Sequence, residues 1–152
     1  MKTLIIYHST YRKNTEKIAQ MFAEKYGFEL IDIKNAVNVN VSDYDLIGFG
    51  SGVYKENLSP KLFKLVESLD LKDKNVFVFS TSGVGMKLYN SKLIRLLESK
   101  GAINKGSFAC KGSFTASDFS DKKIFDVFGK LSQGHPNDKD FRNAEKFIKS
   151  IL

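Results

Sequence analysis

The sequence has one cysteine, no tryptophan, and no apolar run approaching the ~20 residues that a membrane-spanning helix requires. A single thiol, Cys110, excludes an internal disulfide and makes a reducing compartment, the cytoplasm, the expected location. The run that follows the initial Met-Lys is too short for the apolar core of a secretion signal. No GxxxxGK[ST] is present, nor a GxGxxG after the first strand-like run, which makes nucleoside triphosphates and dinucleotides poor ligands. Ser–His–Asp sets, metal-ligand spacings and paired carboxylates are also missing. The net charge of +7 (sequence pI near 9.4) attracts anions in general. Its lysines are spread along the chain rather than gathered in a tract. No helix-turn-helix or single-strand-binding pattern accompanies them, so no specific nucleic-acid target is expected.

What is present suits one soluble globular domain over residues 1–152, with 42% hydrophobic and 27% charged residues. Four short apolar runs read as strands buried on both faces: "TLIIYH" (3–8), "FELIDI" (28–33), "DLIGFGS" (45–51) and "NVFVFSTS" (75–82). A fifth, "GSFACKG" (106–112), is weaker. Amphipathic helices separate them. Residues 14–26 place Ile18, Ala19, Phe22 and Ala23 on one face, and Gly27 stops that helix. Residues 59–69 begin with Ser59 as N-cap and Pro60 at the first position, and bury Leu62, Phe63, Val66 and Leu69. Residues 90–100 bury Leu93, Ile94, Leu96 and Leu97; residues 138–151 align Phe141, Ala144, Phe147, Ile148 and Ile151. Strands alternating with helices imply right-handed crossovers and a doubly wound parallel sheet in a three-layer sandwich. The connection 112–137 is long, with a short helix expected near 121–131, and reads as decoration of the fold.

In such a sheet, ligands sit beyond the carboxyl ends of the strands where the winding reverses. That places "HSTYRKNT", "GSGVYKEN" and "STSGVGMKLY" side by side, all rich in Gly, Ser and Thr. The first opens a helix, whose free N–H groups and dipole favour an anion. Ser9, Thr10, Asn14 and Thr15 add donors there and Lys13 a charge. Gly50, Gly52, Gly83 and Gly85 let backbone approach a flat ligand, and Tyr54 and Tyr89 offer ring faces. One such turn alone is more often a helix cap made by Asn14 or Thr15. Three at one end of one sheet point to a ligand.

"LIIYHSTYRKNTEKIA" resembles the phosphate-binding loop of flavodoxins in a form one residue longer than the commonest. "GFGSGVYKENLSPKL" and "FSTSGVGMKLYN" are similar to the two loops with which that family sandwiches its flavin. "FACKG" and "QGHPNDKD" resemble a subgroup of small bacterial and archaeal flavodoxin-domain proteins. The resemblance runs over essentially the whole chain. It implies a flavodoxin-like five-stranded parallel sheet of order 2-1-3-4-5, helices on both faces, and non-covalent FMN. By the same resemblance, Ser9, Thr10, Asn14 and Thr15 hold the phosphate with backbone N–H groups of Tyr11, Arg12, Lys13, Asn14 and Thr15. Ser51, Gly52, Val53 and Tyr54 line one edge of the flavin. Thr81, Ser82, Gly83, Val84 and Gly85 line another, with Tyr89 nearby. The peptide that turns toward the reduced flavin falls at Ser51–Gly52–Val53. Two departures stand out: Lys13 replaces the family's usual glycine, and without tryptophan the stacking falls to Tyr54 and Tyr89.

The function implied is electron transfer between redox proteins. The alternative is an FMN-dependent oxidoreductase, either a quinone reductase or one of protoporphyrinogen-oxidase type, which share the longer phosphate loop. A phospho-receiver domain has the same fold but needs acidic residues where His8-Ser9 and Ser51 stand. Lys55, Lys87 and the basic balance suit an acidic redox partner and oppose the low final potential typical of acidic flavodoxins. Cys110 reads as a buried inert thiol rather than a redox-active one, His8 as a polar strand end, and Asn137 or Asp138 as the cap of the last helix.

Overall fold

A computed structural model of the chain describes residues 1–9, 13–35, 39–54, 56–112 and 134–152. The chain order is β1 (Thr3–His8), α1 (Asn14–Tyr26), β2 (Glu29–Asp32), β3 (Leu46–Tyr54), β4 (Asn57–Leu58), α2 (Pro60–Ser68), β5 (Asn75–Ser82), α3 (Ser91–Ser99), β6 (Ile103–Lys111) and α4 (Asp138–Ile151). Short 3-10 turns follow β2 (Ile33–Asn35) and precede α3 (Lys87–Asn90). The main sheet runs β2-β1-β3-β5-β6 with all pairs parallel. Counting its five long strands along the chain, this is the expected order 2-1-3-4-5. The two-residue β4 was not expected; it folds back antiparallel on the end of β3, pairing Val53 with Leu58 and Tyr54 with Asn57. The last strand also starts earlier than "GSFACKG", at Ile103.

Alternation along each central strand sorts side chains into two cores. Leu4, Ile6, Ile47, Phe49, Val76 and Val78 meet Leu62 and Val66 of α2 and Leu93 and Leu97 of α3. On the other face, Ile5, Tyr7, Phe77, Phe79 and Phe108 meet Ile18 and Phe22 of α1 and Ala144 and Ile148 of α4. Each fully buried Leu, Ile or Phe contributes about 1.5–3 kcal/mol relative to exposure. The outer parts of the predicted helix faces (Ala23, Phe63, Ile94, Leu96, Phe141, Phe147, Ile151) are only half-buried.

The helix ends differ from expectation in one respect. Gly27 closes α1 in a left-handed conformation (φ 70), donating its N–H to the Ala23 carbonyl at 2.9 Å. Asn137 caps α4, its side chain accepting from the Asp140 N–H at 3.0 Å while Asp140 accepts from the Asn137 N–H at 2.9 Å, a reciprocal capping box. Ser59 occupies the N-cap position of α2, but its side chain makes no cap bond. It is buried, and its N–H donates to Ser51 Oγ at 2.9 Å; the β4 turn, not a hydroxyl, starts that helix. The helix expected near 121–131 lies outside the described residues.

Gly50 needs reinterpretation. It sits inside β3, paired with Tyr7 and Phe79 and fully within the sheet. A Cβ on Gly50 would lie 2.2 Å from Phe79 Cζ, and one on Gly48 2.3 Å from Phe77 Cζ. Both glycines therefore make room for phenylalanine rings rather than for a ligand. Phe79 is itself wedged by Phe22 (5.5 Å, edge-on), so the ring has no easy retreat. Gly50→Ala is expected to cost about 1–3 kcal/mol through overpacking. In urea unfolding, the same change in a Phe79→Leu background should cost clearly less; equal costs in both backgrounds would overturn the steric explanation.

Candidate functional site

Register brings the carboxyl ends of β1, β3 and β5 level, with Ser51 of β3 opposite both His8 of β1 and Ser80 of β5. The loops leaving these strands therefore open on one side of the sheet. Thr15, in the first turn of α1, shares a buried 2.8 Å hydrogen bond between its Oγ1 and Thr81 Oγ1, which ties α1 to the end of β5. Ser9 is buried, and its Oγ accepts from the Glu16 N–H at 3.2 Å. Lys13 starts the helix in a left-handed conformation (φ 53, ψ 39) with no side-chain cap. A helix of this length leaves its first N–H groups unsatisfied from within and carries partial positive charge at that end, which suits an anion. Of the predicted phosphate loop, Thr10, Tyr11 and Arg12 lie outside the described residues, as does Lys55 of the second loop.

Around the second and third loops, the hydroxyls shape the backbone. Ser51 is fully buried, and its Oγ donates to the Gly52 carbonyl at 2.6 Å while accepting from Ser59 N–H. A reorientation of the Gly52 peptide would break that bond. Val53 leans on the α2–α3 core, and Tyr54 is half-buried with its ring 5.9 Å from that of His8, tilted by 34°. Ser82 Oγ accepts from the Gly85 N–H at 2.7 Å, closing the turn through Gly83 and Val84. Gly85 is left-handed (φ 68), and a Cβ there would come within 3.0 Å of the Lys111 N, so the third loop lies on the end of β6. Tyr89 is half-buried and packs against the α2–α3 core. Asn90, passed over in the sequence, is fully buried and donates from Nδ2 to the Phe108 carbonyl at 3.1 Å, locking that turn to β6.

Burial sets the electrostatics. His8 is only 7% exposed, and its Nδ1 has no hydrogen-bond partner among the described residues. Burial, and then Lys61, lower its pKa from 6.5, with Lys34 acting the same way and Asp32 against them. The Tyr7 hydroxyl, buried and donating to Glu16 Oε1 at 3.0 Å, is pushed up to about 12. Cys110 is buried beside Phe108 and its thiol is pushed well up, by burial and then by Asp140, which favours the inert reading. Among the described residues, no group of three or more His, Cys, Asp or Glu could hold a metal ion.

Two outcomes are expected. A left-handed side-chain-bearing residue costs about 1–2 kcal/mol, partly offset for glycine by its greater freedom when unfolded. Lys13→Gly should therefore raise stability by about 0.5–1 kcal/mol in urea unfolding, and Lys13→Ala should not. A Lys13→Gly protein no more stable than wild type refutes this. The second concerns His8. Its folded pKa lies below 6.5, so the unfolded state binds more protons in the window between the two values. Stability should fall as pH drops below about 6.5, and His8→Gln should flatten that slope. Parallel pH slopes for the two proteins would count against it.

The flavodoxin domain model matches residues 4–126. An uncharacterized protein of Methanocaldococcus jannaschii is 38% identical over 154 residues, covering 100% of this chain and 99% of that protein. Among solved structures, a mutant flavodoxin of Fusobacterium nucleatum bound to flavin mononucleotide superimposes with a TM-score of 0.65 at 17% identity, covering 99% of this chain and 95% of that one. Oxidised flavodoxin 1 of Bacillus cereus does so with a TM-score of 0.59 at 19% identity, covering 97% and 98%. With the level strand ends, the helix start beyond β1 and the loops beyond β3 and β5 already in place, this match identifies the chain as a member of the flavodoxin family.

Proposed function

We propose that the chain binds FMN non-covalently at the carboxyl ends of β1, β3 and β5 and carries electrons between larger redox proteins. The observation that carries this reading is the Thr15–Thr81 hydroxyl pair, which holds the anion-favouring start of α1 against the end of β5. The residues fit the cofactor. The first turn of α1 offers N–H groups to a dianionic phosphate, and its one acidic side chain, Glu16, is engaged by the Tyr7 hydroxyl.

In this reading Ser9, Thr10, Tyr11, Arg12, Lys13, Asn14 and Thr15 hold the phosphate. Ser51 to Tyr54 and Thr81 to Gly85 flank the ring, with Tyr54 and Tyr89 as the aromatic neighbours. FMN supplies one- and two-electron chemistry, and the chain orients it and sets its surroundings. His8, neutral and buried beneath Tyr54, keeps that floor polar without adding charge.

A separate cavity lies away from these loops. It has a volume of about 420 Å³, is lined by Val39, Val41, Ser42, Leu69, Asp70 and Lys74, and lies at the amino ends of β3 and β5. Among the described residues, no helix is long and apolar enough to cross a membrane.

The test is the visible spectrum of the chain mixed with FMN and reduced stepwise. Shifted flavin bands followed by a transient long-wavelength band are expected for a one-electron carrier. Shifted bands that bleach in one two-electron step would favour the FMN-dependent oxidoreductase, of quinone-reductase or protoporphyrinogen-oxidase type. Unshifted bands would overturn both.

A further inference from the structure

Next to the proposed flavin site, the loop that leaves β5 carries exposed apolar side chains. Met86 and Leu88, on either side of Lys87, are 45% and 68% exposed. Apolar surface left exposed beside a site can serve as the dry centre of a contact. Methionine adapts to different facing shapes.

The surroundings are basic. Lys87 is exposed, and so is Lys92 in the first turn of α3. Gly85 lies against Lys111, a Cβ there falling 3.3 Å from the Lys111 Cγ. The next residue, Gly112, touches Asn14, which follows Lys13, since a Cβ on Gly112 would fall 2.7 Å from Asn14 Nδ2. Lysines 111, 87 and 92 thus follow one another along a rim that continues to Lys13. Among the described acidic groups at this end, Glu16 is held by the Tyr7 hydroxyl and Asp140 by His135 and the Asn137 N–H, while Asp32 ends β2 half-buried. Glu56 and Asp138 are exposed.

We propose that this rim is the docking surface for an acidic redox protein, with Met86 and Leu88 as the dry centre and Lys87, Lys92 and Lys111 facing its carboxylates. The inference rests on the flavin reading of the site and names its partner. Charge at the rim of such a contact acts mainly on the association rate and its salt dependence, while the apolar centre acts on the docked complex. A small contact of this kind suits a transient electron-transfer encounter.

The experiment uses the FMN-loaded chain, photoreduced and mixed by stopped flow with two oxidised acceptors, acidic plastocyanin and basic cytochrome c. Each fully reduced flavin supplies two electrons, one to each of two acceptor molecules. Plastocyanin reduction should be fast at low salt and slow as salt rises; cytochrome c should respond in the opposite direction. Lys87→Glu should slow plastocyanin reduction about fivefold at low salt. Lys146→Glu, the same charge change on the exposed side of α4, should slow it less than about twofold. Leu88→Ser should slow it at every salt concentration.

Equal effects of Lys87→Glu and Lys146→Glu would reduce the surface to bulk charge and overturn the proposal, as would a faster reaction with cytochrome c at low salt. The flavin spectrum of each variant is recorded first. A chain that takes up no FMN ends the flavin reading and this one together, whereas a flavin-loaded chain with the wrong salt response removes only the docking surface.

Discussion

The structure hangs on two phenylalanine rings lying across two glycines. Phe77 and Phe79 of β5 occupy the space that side chains at Gly48 and Gly50 of β3 would fill. Phe22 of α1 then packs edge-on against both rings, at 6.3 and 5.5 Å, and Phe147 of α4 against Phe77 at 5.9 Å. Aromatic pairs in this arrangement add to simple burial. Because interiors are close-packed, α1 has little freedom to slide along the sheet. Its first turn, where the Thr15–Thr81 bond closes, therefore stands at a set height above the strand ends. Packing deep in the core thus positions a site at the edge.

Above that core, the site is built from polar groups that mostly answer one another. Ser51 and Ser82 look like ligand contacts in a list of loop residues, yet each satisfies a neighbouring backbone group, as the buried Asn90 does for the Phe108 carbonyl. Buried N–H and C=O groups need partners, and short polar side chains supply them where strands give way to turns. Among the described residues these bonds shape the backbone of the rim before any ligand arrives. Preorganisation of this kind lowers the cost of binding.

Charge is arranged differently from packing. The groups inside are kept uncharged: His8 by burial and nearby lysines, Cys110 by burial, Tyr7 by burial and its acidic partner. The net +7 is carried by lysines spread over the surface. Such charge does little for the fold, but it biases what the outer face meets.

The strands and helices were legible because each is amphipathic or apolar with its own period. β1, β5, α1 and α4 span the residues expected of them. The parallel sheet and the three converging loops were legible from the alternation of strands and helices, and the strand order from the resemblance to flavodoxins. Some features were not. β4 is two residues long and carries no period. Gly50 in a Gly-rich tail reads as a loop glycine until its neighbours across the sheet are known, and those neighbours, Tyr7 and Phe79, are remote in sequence. Asn90 gave no signal in the sequence, because its partner is the Phe108 carbonyl on another strand. The sequence by itself determined the elements, their order and the chemistry gathered at one end, because these follow from local period and composition. Only the tertiary structure decided which polar and small residues face the site and which serve the scaffold, because hydrogen bonds and steric contacts join residues that the chain holds far apart.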